Sequence, residues 1–218
     1  MNILSFFATA VLGLVSLASC NGAGNNTEQA LNKITNKTSI MGTVNTNDST
    51  RTIYFAGGCF WGTEHFFQQI NGVTETEVGF ANGHTKNPSY HDVVYNNTGF
   101  AETVKVTYDP KVVDLNLLLN LYFLTIDPTS LNRQGNDFGT QYRTGIYYTA
   151  EDQLAVIEDR VKAEGAKYTS PIVVEVTPLK NYYKAEEYHQ DYLDKNPGGY
   201  CHINPELFKV AAEANRKK

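Results

Sequence analysis

Cysteines stand at positions 20, 59 and 201 of the 218-residue chain and carry its most nucleophilic side chains. Because the thiolate is the form that attacks an electrophile, the surroundings of each sulfur decide its chemistry. Cys59 lies in Gly57-Gly58-Cys59-Phe60-Trp61-Gly62, between a short apolar run and the start of an amphipathic one. A helix starting there places unpaired backbone N–H groups and the positive end of a helix dipole beside the sulfur, which predicts a lowered thiol pKa. The flanking glycines let the backbone turn tightly and leave the sulfur open. Out of context, a packed free cysteine is as good a reading. Cys201 follows Gly198-Gly199-Tyr200, on a tail expected to be mobile and unstructured to the chain end. No two cysteines have the C-x-x-C spacing of a zinc or thioredoxin site.

Two other chemistries use the same residues. A cysteine hydrolase would pair Cys59 with a histidine base, for which His65, His84, His91, His189 and His202 are available, but it leaves Cys201 without a role. A metal module on His189, Cys201 and His202 lacks a fourth spaced ligand, so no metal is expected.

The elements that must hold these groups begin at Thr52, where Thr52 to Ala56 reads as a strand ending at Gly57-Gly58. Trp61, His65, Phe66 and Gln69 recur at helical spacing up to Ile70, and Asn71-Gly72 closes that helix. Val73 to Phe80 predicts a strand. From Ala101 to Tyr108, Glu102, Val104, Val106 and Tyr108 share one face, while Thr103, Lys105 and Thr107 share the other. Glu102 is therefore expected to be buried, with its pKa raised toward the proton-donating form. Asp114 predicts the cap of a helix through Leu117, Leu118, Leu121 and Tyr122 to about Thr125. Asp127 to Tyr142 has no periodicity, and a connection of that length points to function. Beyond it the patterns predict a strand over Arg143 to Thr149 and a helix through Val156, Ile157 and Val161, with Thr149 and Asp152 as a capping box. Ile172 to Val176 predicts a further strand, and Ala185 to Leu193 a short helix. The sum is α+β: a single two-layer α/β sandwich with a mixed, ferredoxin-like sheet and a long irregular C-terminal tail.

Composition narrows the partners. With a net charge of -5 and no basic cluster, the chain lacks the electrostatic footprint of a nucleic-acid binder. Residues 1–20 form an export-type segment: the run from Ile3 to Ala18 is too short to span a membrane comfortably. It ends in Leu17-Ala18-Ser19-Cys20, which resembles a bacterial lipobox and implies lipidation of Cys20 and an envelope location, although Met1-Asn2 carries no positive charge. Residues 21–50, rich in Asn, Thr, Ser and Gly, read as a flexible tether, and 51–218 as the folded domain. A monomer is the default expectation.

The Gly57–Gly62 block, followed in order by Gly79-Phe80-Ala81-Asn82-Gly83, Asn87-Pro88-Ser89-Tyr90, Thr98-Gly99-Phe100-Ala101-Glu102, Arg133-Gln134-Gly135-Asn136-Asp137, Gly139-Thr140-Gln141-Tyr142-Arg143 and Asn196-Pro197-Gly198-Gly199-Tyr200-Cys201, resembles the class A peptide methionine-S-sulfoxide reductases. The resemblance covers about Thr52 to Cys201. It implies attack by Cys59 on the sulfur of methionine-S-sulfoxide, proton donation by Glu102, and hydrogen bonds from Tyr90 and Tyr142 to the sulfoxide oxygen. It further implies an apolar pocket for the S-methyl group from Phe60 and Trp61, and a site-ordering carboxylate at Asp137. Cys59 would then be left as a sulfenic acid, resolved by Cys201 to a disulfide. The implied reductant is an external dithiol such as thioredoxin, or dithiothreitol in the test tube, with no bound cofactor. Two positions depart from the family pattern: Phe100 stands where histidine is common and Phe138 where a polar residue is frequent. Both suggest a drier pocket.

Overall fold

The computed structural model describes residues 50–216. Cys20, the export segment and the tether up to residue 49 lie outside the described residues. In chain order the elements are β1 (Arg51–Gly57), α1 (Phe60–Gln68), β2 (Val73–Ala81), α2 (Tyr90–Tyr95), β3 (Ala101–Tyr108) and α3 (Leu115–Thr125). A small hairpin of β4 (Arg133–Gln134) and β5 (Asp137–Phe138) and a 3-10 turn over Thr140–Tyr142 follow, then β6 (Thr144–Tyr148) and α4 (Glu151–Gly165). The chain continues through β7 (Glu175–Pro178), β8 (Tyr182–Lys184), a 3-10 turn at Glu187–His189, α5 (Tyr192–Lys195) and α6 (Glu206–Glu213).

The main sheet runs β7-β6-β1-β3-β2-β8, antiparallel except for the β6–β7 pair. Its centre, β6-β1-β3-β2, joined by α1 and α3, has the ferredoxin-like order, and the fold is α+β. One face is large and apolar: Ile53, Phe55, Val78, Phe80, Val104, Val106 and Ile146 pack with Phe66 and Phe67 of α1 and with Leu118 and Tyr122 of α3. Phe55 stacks on Phe67 at 4.7 Å and on Tyr122 at 4.9 Å. The buried Tyr122 hydroxyl donates to the Ala56 carbonyl at 2.7 Å, which fixes the end of β1 just before Gly57-Gly58. The opposite face is thinner, with Ala56, Ala81, Ala101 and Tyr147 buried.

Several local expectations are revised. The helix over Glu151–Gly165 has Ala150 as its N-cap, and the Gln153 carboxamide oxygen accepts from the Thr149 and Ala150 N–H groups, so Gln153 takes the role assigned to Asp152. The strand expected over Ile172 to Val176 is displaced to Glu175–Pro178. The helix expected over Ala185 to Leu193 is broken: Gln190 turns back to bond the Val78 N–H and the Val78 and Ala185 carbonyls, and Asp191 takes a left-handed conformation. The irregular tail holds from Asn196 to Asn204 and then gives way to α6, which docks through Ala211, Leu207 and Phe208.

Candidate active site

Cys59 is the N-cap residue of α1 and is only 6% exposed. Gly58 before it has φ +82°, and a side chain there would collide with Gln134 at 2.6 Å. Gln134 is itself buried and clamps the loop, accepting from the Asp127 N–H at 2.8 Å and donating to the Asp127 carbonyl at 2.9 Å. The aperiodic Asp127–Tyr142 connection is thus seated on the turn that carries Cys59.

Glu102 sits on the helix-packed face of β3, as its phase predicts, and is 1% exposed. Its Oε2 accepts the Phe60 N–H at 3.1 Å, one of the N-terminal donors of α1 that have no partner within the helix. Burial pushes its pKa up to about 8, against the pull of the Phe60 hydrogen bond and with the help of Asp137. At neutral pH Glu102 is therefore mostly protonated and can act as an acid.

Cys59 departs from expectation. Burial, then Glu102, then Asp137 and Cys201 raise its pKa well above the ordinary thiol value, and the hydrogen bond from the Trp61 backbone opposes them without prevailing. The helix terminus is present, but desolvation wins, so the resting sulfur is a thiol.

The Tyr90 and Tyr142 hydroxyls meet each other. Burial and then Glu102 raise both pKa values, Tyr90 to about 12, so both phenols are available as donors. Phe60 is buried, and Trp61 lies flat on Tyr192 with ring centroids 3.8 Å apart while its Nε1 donates to His189 Nδ1 at 3.1 Å. The His189 ring also packs against Phe60 at 5.1 Å and Tyr90 at 4.5 Å. His189 and Tyr192 therefore form one aromatic cluster with Phe60 and Trp61. Sequence reasoning weighed His189 only as a base or metal ligand and did not single out Tyr192, because the expected helix over Ala185 to Leu193 gave neither a reason to meet Trp61.

Asp137 accepts the Tyr200 hydroxyl at 3.0 Å, tying the small hairpin to the segment that carries Cys201. Cys201 is half-buried where Cys59 is buried, and both are free thiols. A Cβ built on Gly62 would lie 2.6 Å from the Cys201 sulfur, so that sulfur rests on α1 one turn from Cys59. Ile203, 3% exposed, anchors the tail in the core, and its N–H meets the Cys201 sulfur at 3.4 Å. Cys201 is thus held at the site rather than carried on a loose chain end. Phe100 is buried against Gly83 and Tyr183, whereas Phe138 is 63% exposed with Arg133 stacked over it, so Phe138 does not dry the pocket.

Among the described residues no histidine hydrogen-bonds Cys59. His65 pairs with Asp194 and His189 is engaged by Trp61. His202 is half-buried, its ring against Gly58 and its Cβ against Gly135, with desolvation lowering its pKa. The hydrolase arrangement is not formed.

The family model for peptide methionine sulfoxide reductase matches residues 51–218. The peptide methionine sulfoxide reductase MsrA of Clostridium acetobutylicum is 56% identical over 159 residues, covering 73% of this chain and 98% of that protein. Its counterpart from Lachnoclostridium phytofermentans is 54% identical over 164 residues, 75% and 99% of the two chains. Among solved structures, reduced Mxr1 from Saccharomyces cerevisiae superimposes with a TM-score of 0.69 at 39% identity, covering 72% of this chain and 93% of that one. Methionine sulfoxide reductase A of Corynebacterium diphtheriae gives 0.65 at 39% identity, covering 75% and 82%. On the extent of these matches and the site they enclose, the chain belongs to the peptide methionine sulfoxide reductase family.

Proposed function

We propose that this protein reduces methionine-S-sulfoxide, free or within oxidised proteins, to methionine. The observation that carries the reading is the convergence of a protonated, buried Glu102 and a Cys59 sulfur at the start of one helix, with a second thiol resting a turn away. Cys59 attacks the sulfoxide sulfur while Glu102 gives its proton to the sulfoxide oxygen, and the Cys59 thiol proton restores Glu102. The net step moves oxygen from the substrate to sulfur, giving methionine and a Cys59 sulfenic acid. Tyr90 and Tyr142 hold the oxygen, and Phe60 and Trp61 receive the methyl group. The Cys201 thiolate then attacks the sulfenic sulfur, the S–S bond forms, the S–O bond breaks, and hydroxide leaves with the proton as water. An external dithiol of the thioredoxin class reduces the disulfide by exchange and is itself oxidised.

The test is stoichiometric. The 51–218 chain, given one equivalent of S or R sulfoxide without reductant, is expected to yield methionine and lose two thiols with S alone, and one thiol in Cys201→Ser. Intact thiols and no methionine from the S epimer would refute the proposal. For residues 1–20 the lipobox-like ending supports export with lipid on Cys20, which radiolabelled fatty acid incorporation, lost in Cys20→Ala, would test.

A further inference from the structure

Glu64 lies on α1, 1% exposed, and takes no part in the chemistry above. The fold disfavours the charged form of this carboxyl: burial first, then Asp191 and Asp194, push its pKa up to about 7, against the hydrogen bonds from Asp191 and Thr76. Its ionisation therefore opposes folding. What the carboxyl holds is specific. Oε2 accepts the Asp191 N–H at 2.8 Å, and Gln68, one helical turn further on, donates to Asp191 Oδ1 at 2.9 Å and to the Thr76 hydroxyl at 3.1 Å. Asp191 is a non-glycine residue at φ +52°, a conformation that needs outside support.

Its neighbours in sequence explain why that turn matters. Two residues before Asp191, His189 takes the indole N–H of Trp61, and one residue after it Tyr192 stacks on the indole face. The left-handed turn at Asp191 is what lets the two side chains close on Trp61 from different directions. Lys195 completes the turn, donating to the Gln190 carbonyl at 2.8 Å.

We infer that Glu64 is a positioning residue for the substrate pocket, holding the His189–Tyr192 segment through the Asp191 N–H and so fixing the Trp61 ring that receives the substrate's methyl group. This rests on the proposed reduction for its substrate, but not for its readout. Trp61 is the chain's single tryptophan, so its emission reports the pocket with no substrate present.

The experiment compares Glu64→Ala, Glu64→Gln and wild type, by Trp61 emission and acrylamide quenching in the resting protein and by steady-state kinetics on the S sulfoxide. Glu64→Ala is expected to free the indole, raising quenching and red-shifting emission, and to raise KM about tenfold with little change in kcat, since it loosens binding without touching the reacting groups. Glu64→Gln keeps an acceptor for the Asp191 N–H and is expected to restore both readouts. If Glu64→Ala lowers Tm while quenching and KM stay at wild-type values, the residue is merely structural and the inference fails. It fails equally if Glu64→Gln behaves like Glu64→Ala. Should the alanine variant not fold, Glu64→Asp withdraws the acceptor by one methylene, and unchanged quenching there would overturn the inference. A wild-type protein that reduces no sulfoxide would overturn the proposed function instead, leaving the fluorescence comparison to decide this one.

Discussion

Replacing Gly62 with alanine separates the two halves of the reaction. Gly62 lies within α1 and is not among the glycines at positive φ, so alanine suits its backbone and raises helix propensity by about 1 kcal/mol. The added methyl, however, would sit 2.6 Å from the Cys201 sulfur and 3.3 Å from Ile203 Cδ1. Non-bonded heavy atoms settle at about 3.5–4.0 Å, so the sulfur must retreat by ~1 Å. It has room to do so. A cavity of about 420 Å³ opens beside it, lined by His65, Leu193, Phe208 and Cys201 itself, so the tail yields before the helix does.

A retreat of that size moves Cys201 away from the Cys59 sulfenic acid without touching Cys59, Glu102 or the aromatic pocket. Misplacement by ~1 Å is enough to slow a positioned reaction roughly 100-fold. In single-turnover mixing with one equivalent of the S sulfoxide and no reductant, Gly62→Ala should form methionine at the wild-type rate. Disulfide formation should lag about 100-fold, and a sulfenic-acid trap such as dimedone should capture the Cys59 intermediate in the interval. Loss of the second thiol, that of Cys201, keeping pace with methionine as in wild type would refute the reasoning that Cys201 acts from its resting place on Gly62.

Glu102→Gln keeps an oxygen for the Phe60 N–H but has no acidic proton, and it should slow methionine formation by about 10²–10⁴ in the same assay. Because the folded pKa of Glu102 is raised from 4.5 to about 8, its contribution to stability is complete below about pH 4.5 and is lost as pH rises through 8. At about 1.4 kcal/mol per pH unit that loss approaches ~5 kcal/mol, and Tm curves should fall less steeply over this range in Glu102→Gln than in wild type. Burial of Cys59 predicts no ultraviolet thiolate absorbance from it at pH 7 in the resting enzyme; a band at pH 7 that disappears in Cys59→Ser would contradict this.

The period of β3 was enough to place Glu102 in the core, because a strand's alternation ties its face to that of Val104, Val106 and Tyr108 whatever else happens. The same local logic identified the helix terminus at Cys59 but misjudged its thiol, since the depth to which a turn is buried depends on Gln134, Glu102 and the tail arriving from far along the chain. The approach of His189 and Tyr192 to Trp61 was hidden for a related reason. Their polar stretch has helix-like composition, and what breaks it is Gln190 reaching back 112 residues to Val78 and Glu64 reaching across 127 residues to Asp191. The docking of α6 also depends on partners distant in sequence, and Pro205 beside the glycine-rich tail masked its short apolar stripe.

The protonated resting state of Cys59 and Glu102 suits a site that excludes water. A free thiolate buried beside Glu102 and Asp137 would be costly to maintain between turnovers and open to oxidation by whatever small oxidant reached it. In the proposed reaction, with both groups protonated, the proton that leaves Glu102 for the sulfoxide oxygen is matched by the one released from Cys59, so the oxygen-transfer step would need no proton from bulk solvent. Reactivity then depends on a substrate whose oxygen can accept that proton, which couples activation of the nucleophile to the presence of a sulfoxide. The same burial that withholds the thiolate from solvent is what keeps Glu102 acidic enough in form, and weak enough in strength, to deliver its proton at neutral pH.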